Sequence, residues 1–485
     1  MSTFDQGKER KLPARPHDIP TPEPLKKFME QGWAPSPLEG LKKNPVATFT
    51  STRRKRLSEN FSGKRLLIPA GTFKTRSNDT DYRFRPHTAF AWLTGICGSD
   101  AVPDSVLVLE PNGSGHDSLL FIHPRSTREN SEEFYRNVRN GEFWVGRRMT
   151  LEETEFVYDI KVRHIDSLDD FLINTKDSLT VRGEDGYIDD RVKESPDDAT
   201  LLSWLSEARL VKDDFEIAEM QKAIDATHRG FEEMIRAIPG AVRKKRGERL
   251  VEGAFFTRAR FEGNDLGYDS IVAAGSHACV LHWIRNDGEL RDGELILIDA
   301  GVEVESLYTA DITRTFPING KFTAAQRKIY SLVYAAQEAG MKAVKPGAKF
   351  RDFHIAASEV LAHGLEEMGV LPISAEESLK PDVGFHRRWT VHGTGHMLGM
   401  DVHDCTHARK EAHTEGILKE GMILTVEPGL YIQPDDTLFP AEYRGIGVRI
   451  EDDVLVTRDG CKNLSSAMPR HPDEIEAWMA TLLSR

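Results

Sequence analysis

The chain has 485 residues, 39% apolar and 29% charged, which suits a globular protein with a real core and two or three domains. A net charge of −13 and a pI near 5.8 exclude a broad nucleic-acid or anionic-membrane surface, since a phosphate backbone rewards basic residues. The basic runs Arg53–Arg56 and Arg243–Arg246 therefore read as solvated faces.

In chain order, residues 1–45 stand apart. Pro20, Pro22 and Pro24 alternate with charged and polar residues, and proline fixes φ while removing a donor, so an extended or partly disordered arm is expected. Residues 46–205 read as a small α/β domain. Leu66–Ile68, Val106–Leu109 and Leu119–Ile122 are short apolar runs suited to buried strands, and residues 126–139 are more helical. A charged stretch near 185–200 reads as a connection. Residues 206–485 form the third segment. Asp213 and Asp214 open a strong helix with Ile217, Met220, Ile224, Phe231 and Ile235 on one stripe, and Pro239-Gly240 should stop it. Thr323 and Gln326 form a capping box at the start of another helix, which Pro346-Gly347 should end.

Four acids then break the rules for buried strands. Asp299 ends Leu295–Ile298, Asp311 interrupts Tyr308–Phe316, Glu427 follows Ile423–Val426, and Glu451 follows Val448–Ile450. An unpaired carboxylate costs several kcal/mol or more to desolvate. Taken singly, each could be a turn residue or half of an ion pair, with Arg314 or Arg449 as partner. Four together call for concentrated positive charge, and two divalent cations supply it compactly. Between them lies His392-Gly-Thr-Gly-His396-Met-Leu-Gly-Met-Asp-Val-His403, whose glycines allow close backbone approach. Oxygen-rich ligation with one imidazole suits manganese, or cobalt or iron in vitro, whereas a thiolate-rich zinc site would look different.

At these residues the sequence resembles the pita-bread metallopeptidases, which include methionine aminopeptidase, aminopeptidase P and prolidase. Asp299, Asp311, His396, Glu427 and Glu451 match that family's ligand order. The flanking text "LILIDAG", "DITRTFP", "HGTGHMLGMDVHD", "TVEPGLYI" and "GVRIEDD" carries the resemblance. It implies an α+β chain with a C-terminal pita-bread catalytic domain behind a smaller N-terminal α/β domain. The segment Ser77-Asn-Asp-Thr-Asp-Tyr82-Arg-Phe-Arg85, followed by Phe90-Ala-Trp92-Leu-Thr-Gly95, is similar to the N-terminal domain of the aminopeptidase P branch.

The resemblance implies a dinuclear site, with Mn2+ the expected ion, and cleavage of Xaa-Pro bonds in peptides with a free N-terminus. Glu427 is then both ligand and proton carrier. His282, His392 and His403 match histidines that orient substrate and stabilise the oxyanion. Arg449 is expected to support the carboxylates, and with Tyr431 and Asp79 it is a candidate substrate contact, Asp79 reaching a neighbouring subunit's site. A homodimer or homotetramer is implied. The competing readings are an Xaa-Pro dipeptidase, an inactive pita-bread binding module and a creatinase-like C–N hydrolase, and the intact ligand set argues against the last two. Cysteines at 97, 279, 405 and 461, none spaced C-x-x-C, fit a reducing compartment. The polar N-terminus shows no secretory h-region, no apolar run would span a membrane, and a cytoplasmic enzyme is expected.

Overall fold

The computed structural model describes residues 21–128 and 132–484. The N-terminal unit is built on a five-stranded sheet. Its order is Lys161–His164, His116–Ile122, Val106–Pro111, Arg65–Pro69, Ser178–Thr180. The three inner strands pair antiparallel and the two edge strands join parallel. Alternation in the inner strands splits their side chains between two cores. Leu107, Leu109 and Leu120 face the helices Val46–Asn60 and Thr88–Thr94, while Val106, Val108 and Phe121 face a smaller cluster with Ile165 and Ile188.

Two expectations for this half change. Three of the arm's eight prolines lie among residues 1–20, outside the described residues, but Glu23–Met29 is helical. Pro22 is its N-cap and Pro24 sits in its first turn, where a missing N–H costs nothing. The charged stretch near 185–200 is folded rather than a connection. It forms Gly186–Asp189 and the start of Pro196–Ala208, whose capping box joins Ser195 and Asp198. The Asp198 carboxylate also accepts from Thr180 N at 3.0 Å and Arg182 Nε at 2.8 Å, tying the helix to the sheet edge.

The C-terminal unit pairs helices and lays small antiparallel sheets against them. Helix Asp214–Ala241 opens with an Asp213–Glu216 capping box and packs on Gly247–Glu262. They meet closely at Gly230, where a Cβ would lie 2.5 Å from the Phe255 ring. The helix continues through Pro239 to Ala241, because a proline in the last turn forfeits one hydrogen bond and Val242 N still reaches Ile238 O. The second pair is Ala324–Ala343, with the expected Thr323 cap, and Asp352–Glu367; the former ends at Ala343, ahead of Pro346.

Three sheets carry the site: Ile312–Pro317/Leu295–Ala300/Ile271–Ala274, Ile423–Val426/Asp452–Val456/Cys461–Asn463, and the ribbon Gly429–Tyr431/Gly447–Arg449. The two units share a continuous core. Arg53 donates to Asp213 Oδ2 at 2.7 Å, and Trp92 Nε1 donates to Glu216 at 3.2 Å. Among the described residues no helix is long and apolar enough to cross a membrane.

Candidate metal centre

Strand alternation explains why an acid sits in the central strand. Ile296 and Ile298 point into the main core, while Leu297 points the other way, against Ile271, Ala273 and Tyr431. Asp299 follows Leu297 on that second face, level with Thr313 and Ile271 on the flanking strands. Asp311 sits just ahead of Ile312–Pro317 rather than inside a strand. Glu427 and Glu451 directly follow Ile423–Val426 and Gly447-Val-Arg449-Ile.

All five acids and histidines of the expected ligand set line one cavity of about 460 Å³, together with Tyr268, His282, His392, His403 and Arg449. Asp311, His396 and Glu451 each offer an atom within 4.8 Å of the others. His396 Nδ1 donates to Met397 O at 3.0 Å, which turns Nε2 toward Asp311 Oδ2 at 3.2 Å and Glu427 Oε1 at 3.7 Å. A backbone-anchored imidazole with its other nitrogen among carboxylates is the arrangement of a metal-ligating histidine.

The neighbours fix these side chains. Thr425 Oγ1 accepts from His396 N at 3.1 Å, and Glu427 N donates to Thr394 O at 2.8 Å, so the His396 segment and the Glu427 strand end move as one. Thr313 Oγ1 donates to Glu451 Oε2 at 2.6 Å. Arg449 donates to Asp299 Oδ2 at 2.5 Å, to Thr313 Oγ1 at 3.1 Å and to the Tyr431 hydroxyl at 3.1 Å. Its guanidinium thus holds Asp299 directly and reaches Glu451 through Thr313. Arg314, the other candidate partner, alternates to the opposite face and pairs with Asp452 at 2.7 Å. The Tyr431 hydroxyl also meets His392 Nε2 at 2.8 Å.

The electrostatics report a deficit of positive charge. Burial lifts Glu427 to about 7 and Glu451 far above the carboxylate range, with the neighbouring acids adding to Glu451. Burial raises Asp299 as well, against the pull of Arg449. Asp311 alone of the four is lowered: burial opposes ionisation, but the His396 hydrogen bond and charge outweigh it. Burial opposes the His396 charge too, yet Asp311 and Glu427 raise that imidazole to about 9. Tyr268 makes the same point. Its hydroxyl lies 2.6 Å from Asp299 Oδ1 and 2.5 Å from Asp311 Oδ1, two acceptors for one proton. This donor set fits divalent cations, which would hold all four carboxylates ionised.

His282 and His403 line the cavity, with the His403 ring edge-on to His396 at 4.4 Å. Asp79 does not line it; within one chain it stays on the exposed hairpin Thr75–Asp81. Sequence reasoning missed Tyr268, Thr313, Thr425 and Glu248. Glu248 is fully buried and accepts from Ala274 N, His277, Trp283 Nε1 and Gly288 N at 2.6–2.8 Å, fixing the loop that carries His282.

Residues 218–458 match metallopeptidase family M24, and residues 50–181 match the aminopeptidase P N-terminal domain. Xaa-Pro aminopeptidase 1 of Streptomyces coelicolor is 52% identical over 463 residues, covering 94% of this chain and 92% of the relative. The chain belongs to metallopeptidase family M24. The M24 assignment extends to the aminopeptidase P branch. The Xaa-Pro aminopeptidase of Escherichia coli is 34% identical over 88% of this chain and 96% of its own length. The solved Escherichia coli aminopeptidase P with the inhibitor Pro-Leu superposes with a TM-score of 0.77 at 30% identity, covering 92% of this chain and all of that one. The Pseudomonas aeruginosa aminopeptidase gives 0.79 at 31%, covering 91% and all of that chain. The fold is therefore an N-terminal α/β domain followed by a pita-bread catalytic domain, and the chain is a metallo-aminopeptidase that works with divalent metal ions.

Proposed function

We propose that this M24 enzyme releases the first residue from Xaa-Pro-Yaa peptides at a two-ion centre held by Asp299, Asp311, His396, Glu427 and Glu451. The observation that supports it best is the set of four carboxylates, three buried and Glu427 partly exposed to the cavity, around an imidazole whose Nε2 faces them. Two divalent ions bound there, Mn2+ by the hardness of the oxygen donors, would supply an activated water and Lewis acidity toward the carbonyl before proline.

The protein's own groups divide the remaining work. Glu427, on the cavity wall at the end of its strand, takes a proton and passes it to the departing proline nitrogen. That nitrogen comes from a tertiary amide and must be protonated to leave. Desolvation in the cavity wall, then the charge of Arg449, push the partly exposed His392 down to about 4, so it stays neutral and holds the Tyr431 hydroxyl. His282 and His403, on the cavity wall, orient the peptide and steady the developing oxyanion. Arg449 holds Asp299 and Tyr431 in place for both tasks. The Asp79 hairpin serves a neighbouring copy's site in a cytoplasmic homo-oligomer.

The test combines metal analysis with hydrolysis of Ala-Pro against Ala-Pro-Gly. Manganese-stimulated release of alanine from the tripeptide is expected. Cleavage of the dipeptide alone would establish the dipeptidase reading instead, and inertness toward both would leave only a binding module.

A further inference from the structure

A second cavity, of about 610 Å³, lies against the metal cavity and shares His403 with it. It opens between the two units of the chain. Lys74 and His87 line it from the N-terminal unit, Ser206 and Arg209 from the end of helix Pro196–Ala208, and Asp401 and His407 from the catalytic side. Since the His403 ring also meets His396 edge-on, one imidazole forms the partition between the two spaces.

The polar groups in this wall are incompletely used. Arg209 is 7% exposed and Ser206 1% exposed, yet Arg209 Nε and Ser206 Oγ have no hydrogen-bond partner among the described residues. The far end of the Arg209 guanidinium is spent on Asp404 at 3.2 Å and Asp401 at 3.7 Å. Lys74 is exposed at the rim and makes no ion pair among the described residues. Glu184 and Asp401 are the acids on the wall, and Arg85 answers Asp401 at 3.2 Å. His87 also lines the cavity and accepts from Ala89 N through Nδ1. Burial first, then the charges of Arg209, Arg85, His407 and Lys74, push it down to about 4. Lys74, Arg83, Arg85 and Arg209 thus outnumber Glu184 and Asp401 on the wall, in a chain whose net charge is −13.

Substrate length connects the two spaces. A volume of about 460 Å³ is a sphere roughly 10 Å across, which holds about three extended residues at ~3.3–3.6 Å each. A tripeptide ends inside the metal cavity, and a longer peptide must continue out of it. We propose that the second cavity is a subsite for the C-terminal carboxylate of peptides longer than three residues, received by Lys74 at the rim and by Arg209 and Ser206 at the base.

This rests on the Xaa-Pro aminopeptidase reading, and the test separates the two. Peptides of three to six residues beginning Ala-Pro, each as free acid and as C-terminal amide, are compared by kcat/KM on the manganese-loaded full chain. The free acid should exceed the amide by about fivefold, the worth of one favourable exposed ion pair, only above three residues and mainly through KM. Lys74→Met should abolish that ratio while leaving tripeptide turnover unchanged, and Lys74→Arg should keep it. Equal rates for acid and amide at every length, or a ratio indifferent to Lys74→Met, would overturn the subsite while the aminopeptidase stands. Failure to cleave any member of the series would overturn both.

Discussion

Replacing Glu427 with glutamine separates the two properties its position confers. In the absence of metal the folded chain holds this carboxyl at about 7, against 4.5 for an ordinary glutamate, because burial disfavours its charge. An acid raised on folding binds protons more tightly in the native state, so stability falls as pH rises. Nothing is lost below about pH 4.5, where both states are protonated; the loss grows up to pH 7 and stays constant above it. A rise from 4.5 to about 7 corresponds to about 3 kcal/mol. Glutamine keeps the shape and carries no charge. In chelator at pH 8, Glu427→Gln should therefore melt roughly 3–6 °C above wild type, with most of that difference gone at pH 5. Its kcat with metal should fall by ~10²–10⁴, the usual worth of a general acid–base group. Thermal unfolding with excess chelator at the two pH values, beside single-substrate kinetics, reads both effects. A metal-free glutamine variant that melts at or below wild type at pH 8 would refute the argument that these carboxylates are held at electrostatic cost.

Other substitutions probe the supports. Tyr431→Phe removes the hydroxyl joining Arg449 to His392 and should lower kcat about tenfold, with a stability loss of ~1–3 kcal/mol by chemical denaturation. Glu248→Ala strands the buried Ala274 and Gly288 amides and frees the His282 loop. It should cost ~2–5 kcal/mol in denaturant midpoint and raise KM as well as lower kcat. Gly230→Ala drives a methyl into the Phe255 ring and should cost ~1–3 kcal/mol, read by the same unfolding curve, with the metal content unchanged.

The site was legible in sequence where chemistry contradicted pattern. Asp299, Asp311, Glu427 and Glu451 stood out because ionised acids do not belong at the ends of apolar strands, and the cavity does gather them. Glycine-spaced His392, His396 and His403 stood out for the same reason. Their braces did not. Tyr268, Thr313 and Thr425 are ordinary residue types for strands and their margins, and only the pairing of Asp299 with Thr313 shows where Thr313 points. Arg314 and Arg449 looked equivalent as partners until alternation sent them to opposite faces. The boundary signals were weaker still. Pro239 read as a stop, but a last-turn proline leaves the closing bond of the helix intact. The charged stretch near 185–200 read as a connection, because the buried Asp198 that pins it looked like one more surface acid.

The central claim is the two-ion centre, and metal stoichiometry tests it most directly. After dialysis against manganese and removal of free ion, elemental analysis should find two ions per wild-type chain. Asp299→Ala and Glu451→Ala variants that remain folded by circular dichroism should hold at most one. Wild-type protein with no stoichiometric metal, or variants that keep both ions, would contradict the account.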